Sequence, residues 1–218
     1  MASFEPAHAP PSPAIGGSGS AGLPGRGFPF QPGGSGEGIR HAIFLAVTPN
    51  LADGQRIERA AEDLRASLHW SGRRHPAERL HVSLWSLGAG ARLDATAVAN
   101  GLRMGDAIRW RQFDVVHETA ASFGNGGRTP LVFRCSSGSS AALTGLRDAL
   151  GTAWEAINLR SYWPKAFAPH LTVSYDAAPV LETALAEAVV WRARDLALVH
   201  SLQGLGRHRI LRRWPLFG

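Results

Sequence analysis

The amino-acid sequence predicts an α+β fold of two pseudo-symmetric lobes of antiparallel β-sheet, with helices on the outside and a central cleft. Three observations support this class. Short apolar runs typical of strands alternate with segments of helical periodicity. A strand–helix–strand order occurs twice, and each copy ends in a histidine followed two residues later by a hydroxyl side chain, at His81 and His170. A chain of 218 residues that is 44% hydrophobic can bury a core of this size.

Composition and charge narrow the class of protein. A net charge of +6 and a pI near 10.8 suit an anionic partner, although charge speaks to association and not to a particular site. The single cysteine, Cys135, excludes an intramolecular disulfide and leaves cysteine zinc motifs without ligands. No apolar run is long enough to span a membrane. We therefore expect a cytoplasmic protein.

The first part of the chain differs from the rest. Residues 1–38 are dominated by Pro, Gly, Ser and Ala, a composition that buries too little apolar surface to offset the entropy of ordering. The segment lacks the charged start and apolar middle of a secretory signal. We predict a disordered tail over 1–38 and a single bilobal domain over 39–218.

The first copy of the repeat begins with an apolar strand over residues 41–47. A helix follows, with Ile57, Ala61 and Leu64 at helical spacing. The next strand contains His81 and stops near residue 88. A weaker helix is predicted from Asp94 to residue 104, with Asp94 as its N-cap.

The second copy repeats this order. We predict strands over 110–123 and 131–135 joined by a glycine-rich turn at 124–127, then a helix after residue 140. A linker over 160–167 leads to the strand of His170. The chain then ends with three predicted elements: a short helix near 181–188 and strands near 196–201 and 207–213.

An internal repeat underlies this order, because His170 lies 89 residues after His81. The same offset relates several similar residues: Phe44 and Phe133, Ile57 and Leu146, Ala61 and Leu150, Leu68 and Ile157, and Ser83 and Thr172. Matches between apolar residues are common by chance, so the aligned histidines and hydroxyls carry most of the weight. Alternate residues of a strand share a face. Two equivalent lobes would therefore present two imidazoles and two hydroxyls across a cleft.

These residues resemble the motifs of the 2H phosphoesterase superfamily, specifically the 2'-5' RNA ligase or RNA 2',3'-cyclic phosphodiesterase family. That superfamily carries two His-x-Ser/Thr-x motifs, matched here by His81-Val82-Ser83-Leu84 and His170-Leu171-Thr172-Val173. The flanking Phe167-x-Pro169 and the closing Ile210-Leu211-x-x-Trp214-Pro215 are also similar to the family pattern. The resemblance covers roughly residues 40–218.

The resemblance implies a metal-independent RNA 2',3'-cyclic phosphodiesterase that hydrolyses a terminal 2',3'-cyclic phosphate to a 2'-phosphomonoester. His81 and His170 would be the catalytic acid and base, since histidine titrates near neutrality. Ser83 and Thr172 would bind the non-bridging phosphate oxygens. The expected partners are RNA 3' ends or small cyclic nucleotides, with no cofactor, no metal and no membrane, and the expected state is a monomer.

Three further residues are candidates for substrate binding. Phe44 could stack on a nucleobase, although a core position is the more ordinary role for it. Many relatives carry a basic residue three positions after the second hydroxyl, where this chain has Tyr175. The phosphate contact would then come from Lys165, Arg160 or another arginine. The remaining histidines of the folded part are expected to be surface or strand residues: His41, His69, His75, His117, His200 and His208.

Two alternatives to the cyclic phosphodiesterase remain open. The first is a 2'-5' RNA ligase, or a phosphodiesterase acting on another cyclic nucleotide, which would use the same four residues. The second is a non-catalytic RNA-binding module, in which the residues would be vestigial. Retention of both histidines and both hydroxyls argues against it, because RNA binding alone does not require them. The sequence does not decide which histidine is the acid and which is the base.

Overall fold

The computed structural model describes residues 38–70, 72–123, 129–157, 167–176 and 179–218. Three predictions fall on other parts of the chain. Nearly all of the predicted tail, the turn at 124–127 and most of the linker that contains Arg160 and Lys165 lie outside the described residues. These predictions stay predictions.

The described residues form nine strands, three α-helices and one short 3-10 helix, Ala77–Arg79. The strands are β1 (Arg40–Val47), β2 (Arg73–Arg74), β3 (Val82–Gly90), β4 (Phe113–Ser122), β5 (Thr129–Cys135), β6 (His170–Asp176), β7 (Thr183–Ala193), β8 (Asp195–Gln203) and β9 (Arg207–Pro215). The helices are α1 (Leu51–Ser67), α2 (Ala95–Ala107) and α3 (Ser137–Ala156).

The strands form two sheets in which neighbouring strands run antiparallel. One sheet has the order β3-β1-β8-β9 and the other the order β2-β6-β5-β4-β7. In the first repeat, β3 follows the motif histidine and pairs with β1. In the second repeat, β6 contains the motif histidine and pairs with β5. The predicted α+β class with two antiparallel lobes is confirmed.

Each helix begins at a side chain that caps its free backbone N–H groups. The Asn50 carboxamide oxygen accepts a hydrogen bond from the N–H of Asp53 at 2.8 Å, and Ser136 caps α3 in the same manner. The predicted cap Asp94 accepts from the N–H groups of Thr96 and Ala97. All three helices therefore start within a few residues of their predicted positions.

The predicted helix near 181–188 is wrong, because this segment belongs to β7. Its alanine and glutamate content favours a helix locally. Pairing with β4 overrides that preference, since Val115 lies opposite Trp191 and Phe113 opposite Ala193. Trp191 is only 2% exposed, so the strand buries a large side chain in the core. Tertiary burial outweighs propensity here.

The repeat is correct for the helices and wrong in register for the strands. The buried Ile57 and Leu146 occupy matching positions of α1 and α3. Ser83 pairs with Ala46 and Thr172 with Val132, and these partners are 132 − 46 = 86 residues apart instead of 89. By pairing, Phe44 therefore corresponds to Pro130. Phe133, which the offset of 89 matches to Phe44, is instead a fully buried core residue.

The buried side chains of both sheets and all three helices form one continuous core. A second, small cluster consists of Ala46, Ala197 and Val199, against which Phe44 packs. These residues alternate along β1 and β8 with core residues such as Leu45, so they lie on the opposite face of the sheet. No helix in the described part of the chain has the length and apolar character needed to cross a bilayer.

Candidate active site

The two motif histidines are oriented by the same local hydrogen bond. His81 Nδ1 lies 2.7 Å from the carbonyl oxygen of Arg79, and His170 Nδ1 lies 2.8 Å from that of Ala168. A carbonyl oxygen can only accept, so Nδ1 carries the proton in both rings. Nε2 is left in each ring as the nitrogen that can exchange a proton with a substrate.

The fold brings these two imidazoles within electrostatic range of one another. Burial lowers the pKa of His81 to about 4, although the bond to the Arg79 carbonyl opposes the shift and the charge of His170 adds to it. Burial also lowers the pKa of His170. A neutral imidazole can act as a base at physiological pH, and an anion bound nearby would favour the protonated form.

The second hydroxyl, Thr172, is linked to Tyr175. The two side chains share a hydrogen bond. Thr172 and Tyr175 lie opposite Val132 and Pro130 of β5, because the register shifts between Leu131 and Val132. In a regular strand, residues separated by three positions point to opposite faces. The β-bulge places both side chains on the same face as His170.

The first hydroxyl, Ser83, lies in the equivalent position of β3. It is half-buried and faces Ala46, on the side of the sheet that carries the small cluster. A register shift between Leu45 and Ala46 follows it, like the one after Thr172. The structure therefore places each predicted hydroxyl close to its histidine, Ser83 on the face of its sheet that carries Phe44 and Thr172 on the same face as His170.

Phe44 packs directly on the imidazole of His81. Their ring centroids are 4.9 Å apart with an angle of 29° between the ring planes, and the ring of His208 meets Phe44 edge-on at 5.8 Å. Because one face of Phe44 is covered by His81, this contact supports the histidine. Stacking of Phe44 on a nucleobase stays a prediction.

Three residues that sequence reasoning did not place at the site surround His81. The ring of His208, from β9, lies 5.1 Å from that of His81. Burial and the charges of His81 and Arg79 lower the pKa of His208. His75, expected at the surface or in a strand, is instead buried in the loop before the 3-10 helix, and its ring lies 5.1 Å from that of Tyr175. The third is Arg79, two residues before His81, whose carbonyl oxygen accepts the hydrogen bond from His81 Nδ1.

A cavity of about 440 Å³ adjoins this cluster. His208 and Leu80 line one part of it, and Thr48, Ile210 and Arg213 line others. The cavity has the size range of ligand pockets. In the part of the chain that the structure describes, no group of three or more His, Cys, Asp or Glu side chains could hold a metal ion.

Solved structures share the overall fold of this chain. The structure of E. coli LigT in apo form has a TM-score of 0.60 and 22% identity, covering 83% of this chain and 99% of LigT. LigT complexed with 3'-AMP gives a TM-score of 0.61 at 24% identity, covering 82% and 99%. The protein TT0787 of Thermus thermophilus gives 0.58 at 22% identity, covering 81% and 98%. The chain therefore has a LigT-like fold.

The family follows from the sequence match. The model of the 2'-5' RNA ligase superfamily matches residues 53–205, a range that contains both motifs. The chain belongs to the 2'-5' RNA ligase superfamily, whose members are 2H phosphoesterases, a class of enzymes. None of the curated proteins compared with the chain matches it.

Proposed function

We propose that this protein is a metal-independent RNA 2',3'-cyclic phosphodiesterase. The observation that carries the proposal is the pair of imidazoles of His81 and His170, each held through Nδ1 by a carbonyl two residues earlier and each with Nε2 left for proton transfer. Two such groups suffice for an acid and a base. Each correctly placed group contributes about 10²–10⁴-fold in rate.

In the proposed reaction, the attacking water loses one proton and the leaving ribose oxygen gains one proton. One histidine removes a proton from water as the water oxygen bonds to phosphorus. The bond between phosphorus and the ribose 3' oxygen breaks, and the other histidine donates its proton to that oxygen. The product is a 2'-phosphomonoester with a free 3'-hydroxyl. Ser83 and Thr172 donate hydrogen bonds to the non-bridging oxygens and stabilise their charge in the transition state.

The surroundings of the two rings favour His81 as the base. Burial lowers the pKa of His81 to about 4, and the rings of Phe44 and His208 pack against its imidazole. Because this packing disfavours the charged form, we assign His81 as the base and His170 as the acid. The two groups titrate as a coupled pair.

Ligation through a 2'-5' bond is the second candidate function, because the matched family is the 2'-5' RNA ligase superfamily. Hydrolysis and ligation use the same two histidines. In ligation a 5'-hydroxyl replaces water as the nucleophile, and its proton passes to the base. The ribose oxygen that leaves phosphorus takes its proton from the acid. Only the identity of the nucleophile distinguishes the two functions.

The test is incubation of RNA ending in a 2',3'-cyclic phosphate with the protein, with and without an RNA acceptor carrying a 5'-hydroxyl. We expect conversion to the 2'-phosphate that EDTA does not reduce and that His81→Ala or His170→Ala lowers at least about 10²-fold. A joined product in the presence of acceptor would establish ligation.

The control is His69→Asn. His69 is exposed and has a φ of 51°, a conformation that asparagine tolerates. This variant should keep the activity of the unmodified protein. Chelator-sensitive turnover, or turnover that survives both alanine substitutions, would contradict the mechanism. RNA binding without turnover would favour the non-catalytic module.

A further inference from the structure

The guanidinium of Arg79 is a half-buried cation near His81. Its Nε atom is buried and has no hydrogen-bond partner among the described residues. None of the ion pairs formed by those residues includes Arg79, whereas the exposed Arg74 lies within 4.0 Å of both Glu58 and Glu62. Burial lowers the pKa of Arg79. Proteins rarely bury a charge without a partner, because desolvation is costly.

The groups around Arg79 do not neutralise its positive charge, so a bound anion would stabilise it. Arg73 repels it, and the imidazoles of His75, His81 and His208 interact electrostatically with its charge. The turn between β8 and β9 closes over it: Gly206 has a φ of +63°, and a Cβ there would lie only 3.3 Å from Arg79 Nη1 and 3.7 Å from Arg73 Nη2. The titratable groups that interact electrostatically with this guanidinium are thus Arg73, three imidazoles and the phenol of Tyr175.

Tyr175, which lies in β6 of the second lobe, is close to Arg79. Burial raises the pKa of Tyr175, and the neighbouring charge of Arg79 opposes that shift. The Tyr175 side chain also shares a hydrogen bond with Thr172. Tyr175 therefore lies within electrostatic range of Arg79 and is hydrogen-bonded to the second motif hydroxyl, while the Arg79 carbonyl binds His81.

We propose, building on the proposed function, that the Arg79 guanidinium binds the non-bridging oxygens of the substrate phosphate and that Tyr175 positions it. A cyclic phosphate carries one negative charge, and the planar fork of an arginine matches two phosphate oxygens. The substrate would supply the ion pair that Arg79 does not form with any of the described residues. The positive charge absent from position 175 is thus supplied by the opposite lobe.

Inorganic phosphate is the probe that tests this assignment independently of turnover. For the unmodified protein, we expect phosphate to raise the melting temperature, since a ligand that binds the folded state stabilises it. Arg79→Met should abolish that rise and weaken phosphate binding about 10- to 100-fold, the range for a hydrogen-bonded charge. Tyr175→Phe should weaken it about 2- to 10-fold. The matched control Arg59→Met removes an exposed arginine of α1 and should change neither value.

The melting temperature in the absence of phosphate distinguishes this proposal from a purely structural role for Arg79. If the charge is uncompensated in the free protein, Arg79→Met should keep or raise the melting temperature without phosphate. A fall of several degrees, or failure of Arg79→Met to fold, would overturn the assignment. Arg79→Lys keeps the charge and loses the fork, so it should fold and bind phosphate with intermediate affinity. Unchanged binding in Arg79→Met, or no phosphate binding by the unmodified protein, would also overturn it.

Kinetics with adenosine 2',3'-cyclic phosphate separates the two proposals. If the unmodified protein binds phosphate through Arg79 but does not hydrolyse this substrate, the phosphate site stands and the proposed function fails. If it hydrolyses the substrate and Arg79→Met leaves KM and kcat unchanged, the function stands and the site fails. If both hold, Arg79→Met should lower kcat/KM about 10- to 100-fold.

Discussion

His81 and His170 share an orienting hydrogen bond and differ in their surroundings. His81 stacks on Phe44 and meets His208, while His170 meets only the edge of Phe123, at 4.8 Å, among its ring contacts in the described residues. Aromatic packing excludes water from His81, and desolvation disfavours its charged form. The different neighbours are the physical reason for assigning the two rings different roles.

A pH profile of kcat/KM tests this assignment. The free-enzyme pKa values govern that profile. The base becomes active as it loses its proton, and the acid becomes inactive as it loses its own. Because burial lowers the pKa of both His81 and His170, we expect both limbs, and so the maximum, below the ordinary histidine value of about 6.5. A maximum in the alkaline range, or a profile flat through the histidine range, would contradict paired acid–base catalysis.

A nitrogen NMR titration would assign the limbs to residues. The Nε2 signal of His81 should report protonation at lower pH than that of His170. The opposite order would assign the base to His170 and leave the pair itself intact.

Among the structural elements, β4 contains a buried histidine that affects stability. His117 is fully buried, and Trp191 Nε1 donates to its Nε2 at 3.1 Å, which requires that nitrogen to be unprotonated. Burial is the main reason that its pKa falls to about 4. Between about pH 6.5 and 4 the unfolded chain therefore binds a proton that the folded chain does not. This histidine lowers the stability progressively as the pH falls through that window, by up to about 3 kcal/mol.

Replacing His117 tests that linkage. His117→Phe should make the free energy of unfolding depend less steeply on pH between about 4 and 6.5, because one proton-binding group of the unfolded chain is lost. Denaturant unfolding at several pH values measures the slope. The slope should not vanish, since burial also lowers the pKa of His75 to about 3. His69→Asn is the exposed control, and an unchanged slope in His117→Phe would contradict the linkage.

Helix α2 packs so closely on β9 that it requires a glycine. A Cβ on Gly105 would lie 2.4 Å from the ring of Trp214, whose Nε1 donates to Asp106 at 2.7 Å and is therefore held in place. Gly105→Ala should lower the free energy of unfolding by about 1–3 kcal/mol, the usual cost of overpacking, despite the better helix propensity of alanine. Gly138→Ala in α3, where nothing lies within 4 Å of the added Cβ, is the control. Equal stabilities of the two variants would contradict this.

At the scale of the whole molecule, the sequence was sufficient to predict the fold class and those structural elements that carry a local signal. Periodicity and caps such as Asp94 located the helices, and the two motifs located both histidines. The strand β7 was missed because its alternation is weak and its stability comes from pairing with β4, which no local pattern reports. The strand register was missed because the stretch between the first strand and the helix is longer in the second copy: Ile57 lies 11 residues after Ala46, whereas Leu146 lies 14 residues after Val132.

The surroundings of His81 were also beyond sequence reasoning. His208 and Arg79 are separated by more than a hundred positions in the chain, and only the curvature that brings β9 to the 3-10 helix places them together. Tyr175 was identified as unusual, but its partnership with Arg79 depends on the bulge in β6. Contacts made by long-range packing carry no periodicity, so their signal appears only in the folded chain.

The proximity of Arg79 to Tyr175 has an evolutionary consequence. If a cation at one of these positions suffices for the bound phosphate, then positions 79 and 175 are free to exchange the charge but not to lose it together. Loss at both positions would leave the phosphate without this counter-charge. We expect natural sequences to vary at the two positions as a pair, so that the binding charge can move between lobes across lineages while the histidines stay fixed.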